Sequence, residues 1–246
     1  NMKNLTLTKE EIFSHPRTKH IILNIDDVNF IRWKKLNDNK RITTISLKEN
    51  ANYVMKHDSE NYYVSTSHGD FNINKDITKN ILPINILFSI AITMESGSSI
   101  HDVINGLQSF SGIEGRFYTF YSKNKSMIID DSYNANPESM KSALRQLASY
   151  SKTRIFVMGD MGELGINSQN HHQSIFKLSK ELGIEYLFYM GKYKKDAESI
   201  FGHNCYTSDN MNNLVTELKK ISDKESTILI KASRFMNFDY IVKELK

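Results

Sequence analysis

The sequence predicts an α/β protein in which a carboxyl-terminal domain on a parallel sheet follows a mixed α/β region. Three observations carry this. Beyond residue 115 short apolar runs alternate regularly with helical sequence, as strands do when each returns through a covering helix. Before residue 111 the order is instead strand, helix, a run of β-rich pieces and two consecutive helices. Between them the loop Ser111-Gly112-Ile113-Glu114-Gly115 places a glycine-bearing boundary, so residues 1–113 and 114–246 are expected as separate domains.

Taken in order, residues 21–25 form an apolar run that ends in Asp26-Asp27, and Phe30, Ile31, Trp33 and Leu36 mark a helix closing near Asn37 and Asn39. Residues 41–46, 51–56, 61–66 and 70–74 are β-rich, with His68-Gly69 as a turn, and are expected as an antiparallel meander. Helices follow at 83–95 and 99–110 around Ser96-Gly97-Ser98. The second domain is expected to be Rossmann-like, with strands at 116–121, 127–130, 154–158, 186–190 and 227–230. Its first helix is the clearest: Asn136 can cap, Pro137 suits the first helical position, and Met140, Ala143, Leu144, Leu147 and Ala148 share a face.

Composition narrows the function. A chain of 246 residues with 39% hydrophobic and 24% charged residues can bury an ordinary core. The net charge of +4 is spread among 28 acidic residues, which gives no basic tract for nucleic acid. Cys205 is the single cysteine, so neither a disulfide framework nor a cysteine metal site is expected, and a reducing cytoplasm fits. Residues 1–11 lack the apolar core of a signal peptide, and the richest apolar stretch, 81–94, is broken by Pro83, Asn85 and Ser89, so no membrane segment is expected.

In an open parallel sheet ligands bind beyond the carboxyl ends of the strands. Three such loops carry chemistry: Asp130-Asp131-Ser132-Tyr133-Asn134-Ala135-Asn136-Pro137, Gly159-Asp160-Met161-Gly162-Glu163-Leu164-Gly165, and Lys231-Ala232-Ser233-Arg234. Each has an ordinary reading as well. Asp and Asn before a helix serve turns and caps, glycines after a strand let the chain turn, and Lys231 and Arg234 could be solvated. The spacing G-x-x-G-x-x-G is not the dinucleotide fingerprint, which disfavours a nicotinamide enzyme. The three loops gain weight by falling on one expected edge.

The D-D-S-Y-N-A-N-P-E-S-M run of 130–140 resembles a signature of the ATP-dependent Mur ligases, specifically the branch that adds D-alanyl-D-alanine. The same family carries G-D-M-x-E-L-G followed by a histidine, matched by Gly159 to Gly165 with His172, and K-G-S-R-x-M, matched by Lys231 to Met236 with Ala232 for glycine. Gly115-Arg116-Phe117 is similar to its G-R-F, Leu23 to Asp27 to its N-A-D-D segment, and Lys9 to Phe13 to a K-x-E-I-F stretch whose lysine is carbamylated in related ligases.

The resemblance implies a partial central ATPase-type domain followed by the carboxyl-terminal ligase domain, in a monomer of the cytoplasm. It also implies a reaction: ATP with Mg2+ phosphorylates the carboxylate of UDP-N-acetylmuramoyl-tripeptide, and the amine of D-alanyl-D-alanine attacks the acyl phosphate. By the same resemblance Arg116 faces the phosphates and Asp131, Asn134 and Asn136 hold or shape the nucleotide side. Lys231, Ser233 and Arg234, with Gly159, Asp160, Met161, Glu163 and Leu164, line the acceptor pocket, Lys231 being placed with Lys9 and Arg116 among the catalytic residues. Lys9 would ligand magnesium only if carbamylated.

Two departures matter: no G-x-x-x-x-G-K-[ST] phosphate loop occurs, and the stretch from Lys79 to Asn85 lacks the histidine of the family's G-x-H-N. The chain alone is therefore expected to be inactive, and the alternative is a truncated relative that binds nucleotide or peptide without catalysis.

Overall fold

The computed structural model describes residues 2–48, 50–75 and 81–246. Lys79 and Asn80, which open the histidine-lacking stretch, lie outside them, as does Asn1. The chain divides into two compact units, Asn1–Ser111 and Gly112–Lys246.

The first unit carries α1 (Met2–Ser14), β1 (His20–Asn24), α2 (Phe30–Leu36), β2 (Arg41–Ser46), β3 (Tyr53–His57), β4 (Asn61–Thr66), β5 (Gly69–Asn74), α3 (Pro83–Glu95) and α4 (Ile100–Ser109). Among the described residues its sheet runs β1-β2-β3-β4-β5. The expected meander holds only for β3, β4 and β5, because β2 and β3 pair parallel. Just Ile45↔Tyr53 and Ser46↔Val54 pair, so the chain steps sideways by one strand and continues in the same direction without a hairpin. Helix α3 begins at Pro83 and buries Ile86, Leu87, Ile90, Ala91 and Met94 against Ile45, Tyr53, Met55 and Val64. Helix α4 starts in a capping box between Ser99 and Asp102.

The second unit carries β6 (Tyr118–Tyr121), β7 (Met127–Asp131), α5 (Pro137–Ala148), β8 (Thr153–Gly159), α6 (Ser168–Glu181), β9 (Tyr186–Met190), α7 (Lys194–Phe201), β10 (Cys205–Thr207), α8 (Met211–Ile221), β11 (Ser226–Lys231) and α9 (Asp239–Leu245). The strand order is β10-β9-β8-β11-β7-β6. All neighbours pair parallel except β6, which runs antiparallel to β7 because only residues 122–126 join them. The expected strand at 116–121 therefore starts at Tyr118, and Arg116 lies in the turn before it.

Both faces of this sheet are covered. Ile129, Phe156, Leu187 and Leu229 pack on one side with residues of α5, α6 and α7. Ile128, Ile155, Val157, Phe188, Ile228 and Ile230 pack on the other with α8 and α9. Strand β11 is buried at all six positions, as a central parallel strand requires. The crossovers return every parallel strand in the same direction, so the carboxyl ends of β7, β8 and β11 share one edge.

Candidate functional site

At that edge the two carboxylates of β7 part ways. Asp130 turns inward and accepts the Gly115 N–H at 2.9 Å, the Ser132 N–H at 3.1 Å and the Ser132 hydroxyl at 2.6 Å. It thus ties the opening turn of the unit to the strand end. That turn passes so close that a Cβ on Gly115, at φ +80°, would lie 3.2 Å from the Tyr133 Cβ. Asp131 instead meets Lys231. The two are register partners on adjacent parallel strands, and the ammonium donates to the carboxylate at 2.6 Å and to the Asn134 carbonyl at 2.9 Å. Lys231 is 2% exposed, so the reading of Lys231 and Arg234 as two solvated cations holds only for the exposed arginine, and the lysine expected at the acceptor pocket is buried against Asp131 of the nucleotide loop instead.

Burial raises the Asp131 carboxyl above its ordinary value, although the Lys231 ammonium and the Phe117 N–H pull the other way. Around this pair the polar side chains are outward. Arg116 is exposed, with its guanidinium 4.3 Å from the centre of the Tyr133 ring. The Asn134 side chain accepts the Ala135 N–H, and Asn136 caps α5 through a box with Ser139. Tyr133 was not singled out by its residue type, although it lies inside the signature.

Ser233 joins all three loops. Its N–H donates to the Asp160 carbonyl at 3.0 Å, its hydroxyl donates to the Ala135 carbonyl at 3.1 Å, and the Gly162 N–H donates to that hydroxyl at 2.8 Å. Gly159 faces inward, where a Cβ would lie 2.7 Å from that of Ala232 and 2.8 Å from the Phe238 ring, so glycine allows β8 to pass β11 and the start of α9. Asp160 is buried and accepts from the Tyr189 hydroxyl and the Lys192 N–H. Met161 is buried and its N–H is taken by His172, Leu164 is half-buried against the core, and Glu163 is exposed at φ +61°. Arg234 points to Asp239 at 3.7 Å with 63% of its side chain exposed. Asp131, Lys231, Asn134, Ser233 and the 159–165 loop are thus one hydrogen-bonded assembly, whereas the Gly159 α-carbon and the Asn136 side chain serve packing and capping.

Lys9 belongs to the first unit, exposed on α1. Its neighbour Glu10 accepts from Arg32 at 2.6 Å and 3.0 Å and from the Trp33 indole at 3.2 Å. A cavity of about 650 Å³ near these residues is lined by Glu10, Phe13, Lys19, Asn37 and Lys40 among others, but not by Lys9. Among the described residues no group of three or more His, Cys, Asp or Glu side chains could hold a metal ion.

Residues 115–234 match the family "Mur ligase, glutamate ligase domain". Along the whole chain, 27% identity links it to UDP-N-acetylmuramoyl-tripeptide--D-alanyl-D-alanine ligase of Escherichia coli K12, covering 100% of this chain and 56% of that protein. The chain belongs to the Mur ligase family. The ligase of the same name from Buchnera aphidicola of Baizongia pistaciae is 30% identical over 96% of the chain and 53% of its own length. The chain spans about half the length of these curated relatives.

The fold agrees. A crystal structure of MurF from Acinetobacter baumannii superposes at a TM-score of 0.83 with 22% identity, over 99% of this chain and 55% of that one. MurF ligase from Thermotoga maritima, solved with ADP, superposes at 0.76 with 20% identity, over 100% of this chain and 57% of that one. The match to the family begins at Gly115, the residue tied to Asp130, and ends at Arg234. Every element of the hydrogen-bonded assembly thus lies inside it. No described helix is long and apolar enough to cross a membrane.

Proposed function

We propose that this chain is the later part of an ATP-dependent ligase of peptidoglycan precursor synthesis, joining D-alanyl-D-alanine to UDP-N-acetylmuramoyl-tripeptide in the cytoplasm. The observation that carries the reading is the buried Asp131–Lys231 pair at the carboxyl ends of adjacent parallel strands. Holding two charges out of water there costs more than an apolar pair would. Parallel α/β sheets place their ligands at that edge, and the curated relatives along the chain are D-alanyl-D-alanine ligases.

On this reading the nucleotide side is formed by Arg116 with Tyr133, Asp131, Asn134 and Asn136. The residues fit a nucleotide: Asp131 keeps 18% of its side chain accessible to accept from ribose hydroxyls, and the exposed Arg116 guanidinium offers donors to phosphate oxygens. ATP would supply the phosphoryl group that activates the carboxylate. Lys231 opposes the upward push of burial on the Asp131 carboxyl and aims it, and through the Asn134 carbonyl it fixes the loop that carries Asn136. The acceptor side is formed by Arg234 and the turn from Gly159 to Leu164, with Ser233 holding that turn against the nucleotide loop. Arg234, exposed and only loosely paired, is available to a peptide carboxylate. Lys9 is assigned to the part of the reaction that needs the other half of the ligase.

An ADP titration of the labelled chain followed by amide NMR tests the reading. Shifts confined to Arg116, Asp131 and residues 133–136, lost in Asp131→Asn, are expected. An unperturbed spectrum at millimolar ADP would overturn the nucleotide assignment. Consumption of ATP with formation of the ligated product by the chain alone would refute the assignment of this chain to only part of the catalytic machinery.

A further inference from the structure

His172 is fully buried in α6, yet no role in binding explains it. Its two ring nitrogens are both committed. Nδ1 lies 2.7 Å from the Ser168 carbonyl, which can only accept, so Nδ1 carries the proton. Nε2 is then bare and accepts the Met161 N–H at 2.9 Å. One tautomer of the neutral imidazole satisfies both, and no other does.

The bond matters because of what it holds. The next N–H, that of Gly162, is taken by the Ser233 hydroxyl at 2.8 Å. Two successive amides of the 159–165 turn are therefore pinned by side chains from other elements, and the turn then passes through Glu163 in the left-handed region at φ +61°. A non-glycine residue persists there only where its surroundings over-determine the backbone. An apolar side chain of similar volume at position 172 would fill the space and leave the Met161 N–H buried without an acceptor.

We propose that His172 is a positioning residue whose neutral imidazole holds the Met161–Gly162 turn in its ligand-ready shape, and that protonation releases the turn and weakens acceptor binding. The second clause rests on the reading of that turn as part of the acceptor pocket. A proton added at Nε2 would set an N–H against the Met161 N–H. The anion nearest to it is Asp160, whose Oδ1 lies 3.4 Å from Nε2. The cationic ring would turn to Asp160, which already accepts from the Tyr189 hydroxyl and the Lys192 N–H. The other titratable groups facing His172 are His171 on its own helix and the phenols of Tyr189 and Tyr193, the latter ring 4.6 Å away. Burial pushes the His172 pKa below its ordinary value, while the Ser168 carbonyl and Asp160 oppose. The turn is thus held throughout neutral pH, and its release falls on the acid side of pH 6.5.

The test uses the full chain. Imidazole 15N shifts report the tautomer and titration of His172, and hydrogen-exchange protection of the Met161 amide is followed from pH 7.5 to 5. Wild-type protection should fall roughly tenfold as His172 titrates. His172→Gln, whose amide oxygen can take the Nε2 position, should keep the protection and lose its dependence on that titration, while His172→Ala should lose it at every pH. Met161 protection indifferent to His172 protonation, or a His172→Gln chain that follows the wild-type profile, would overturn the proposal. D-alanyl-D-alanine titrations followed at Gly162 and Leu164 separate the two readings. No binding at any pH removes the acceptor assignment and leaves Met161 to decide the device. Binding that ignores His172 protonation removes the link between them.

Discussion

The two ends of the second unit's sheet use similar ion-pair chemistry with opposite energetic sign. At the amino ends of the strands Arg154 donates to Glu185 at 2.7 Å and 3.0 Å, to the Gly183 carbonyl at 2.7 Å and to the Ala148 carbonyl at 3.3 Å. Partial burial pushes the Glu185 carboxyl up, but the hydrogen bonds from Arg154 outweigh it and hold the group below its ordinary value. At the carboxyl ends the Asp131 carboxyl is raised by burial in spite of Lys231. A lowered carboxylate adds stability above its unfolded pKa and loses it as the pH falls through the folded one. A raised carboxylate does the reverse: its contribution is full below the unfolded pKa and is lost as the pH rises through the folded one. One end of the sheet is fastened by its charges, and the other keeps its charges against a cost.

The sharpest way to break that contrast is Lys231→Ala, which leaves Asp131 and the Asn134 carbonyl without their donor. Loss of one partner of a buried pair costs about 3–5 kcal/mol, read by urea denaturation. The double variant Asp131→Leu with Lys231→Met should recover most of that stability while abolishing the ADP-induced shifts. A double variant as unstable as the single one would show that the pair fastens the fold. Next comes Gly159→Ala, where the new methyl meets Ala232 and Phe238. Overpacking of this kind costs about 1–3 kcal/mol, and thermal denaturation should show it with ADP binding retained.

Arg154→Ala, at the opposite end, removes hydrogen bonds from a partly exposed network and should cost about 1–2 kcal/mol, with every ligand-induced shift unchanged. Any loss of ADP binding there would erase the distinction between the ends. The smallest effect on folding belongs to Arg234→Ala, whose loose pair with Asp239 contributes at most about 1 kcal/mol. Calorimetry should find its D-alanyl-D-alanine affinity reduced instead; a lowered melting temperature with unchanged affinity would assign Arg234 to architecture.

Elements whose local signals agree were legible in advance. Helix α3 follows Pro83, helix α5 follows the Asn136 cap with its apolar stripe, and β9 coincides with its apolar run because it is buried between helices on both faces. Where local signals are neutral the reading failed. Helix α1 has no acidic residue in its first turn and no basic one in its last, and it was not foreseen as a helix. Strand β10 is three half-buried residues and shows no period. The direction of β3 against β2 depends on whether the chain between them reverses, a property of the connection that neither strand carries.

The site divides along the same line. The sequence by itself determined which loops carry carboxylates, glycines and cations, and that they end strands of one sheet, since motif and alternation are both local in the chain. Only the tertiary structure decided what each group does. Asp130 and Asp131 are adjacent, yet the pleat sends one to Gly115 and the other to a lysine 100 residues on. Ser233 and His172 gain their roles from the Gly162 and Met161 amides, which any residues would possess. The physical reason is that a hydrogen bond depends on distance and direction between groups remote in sequence, and those are fixed only when β7, β8 and β11 come into register.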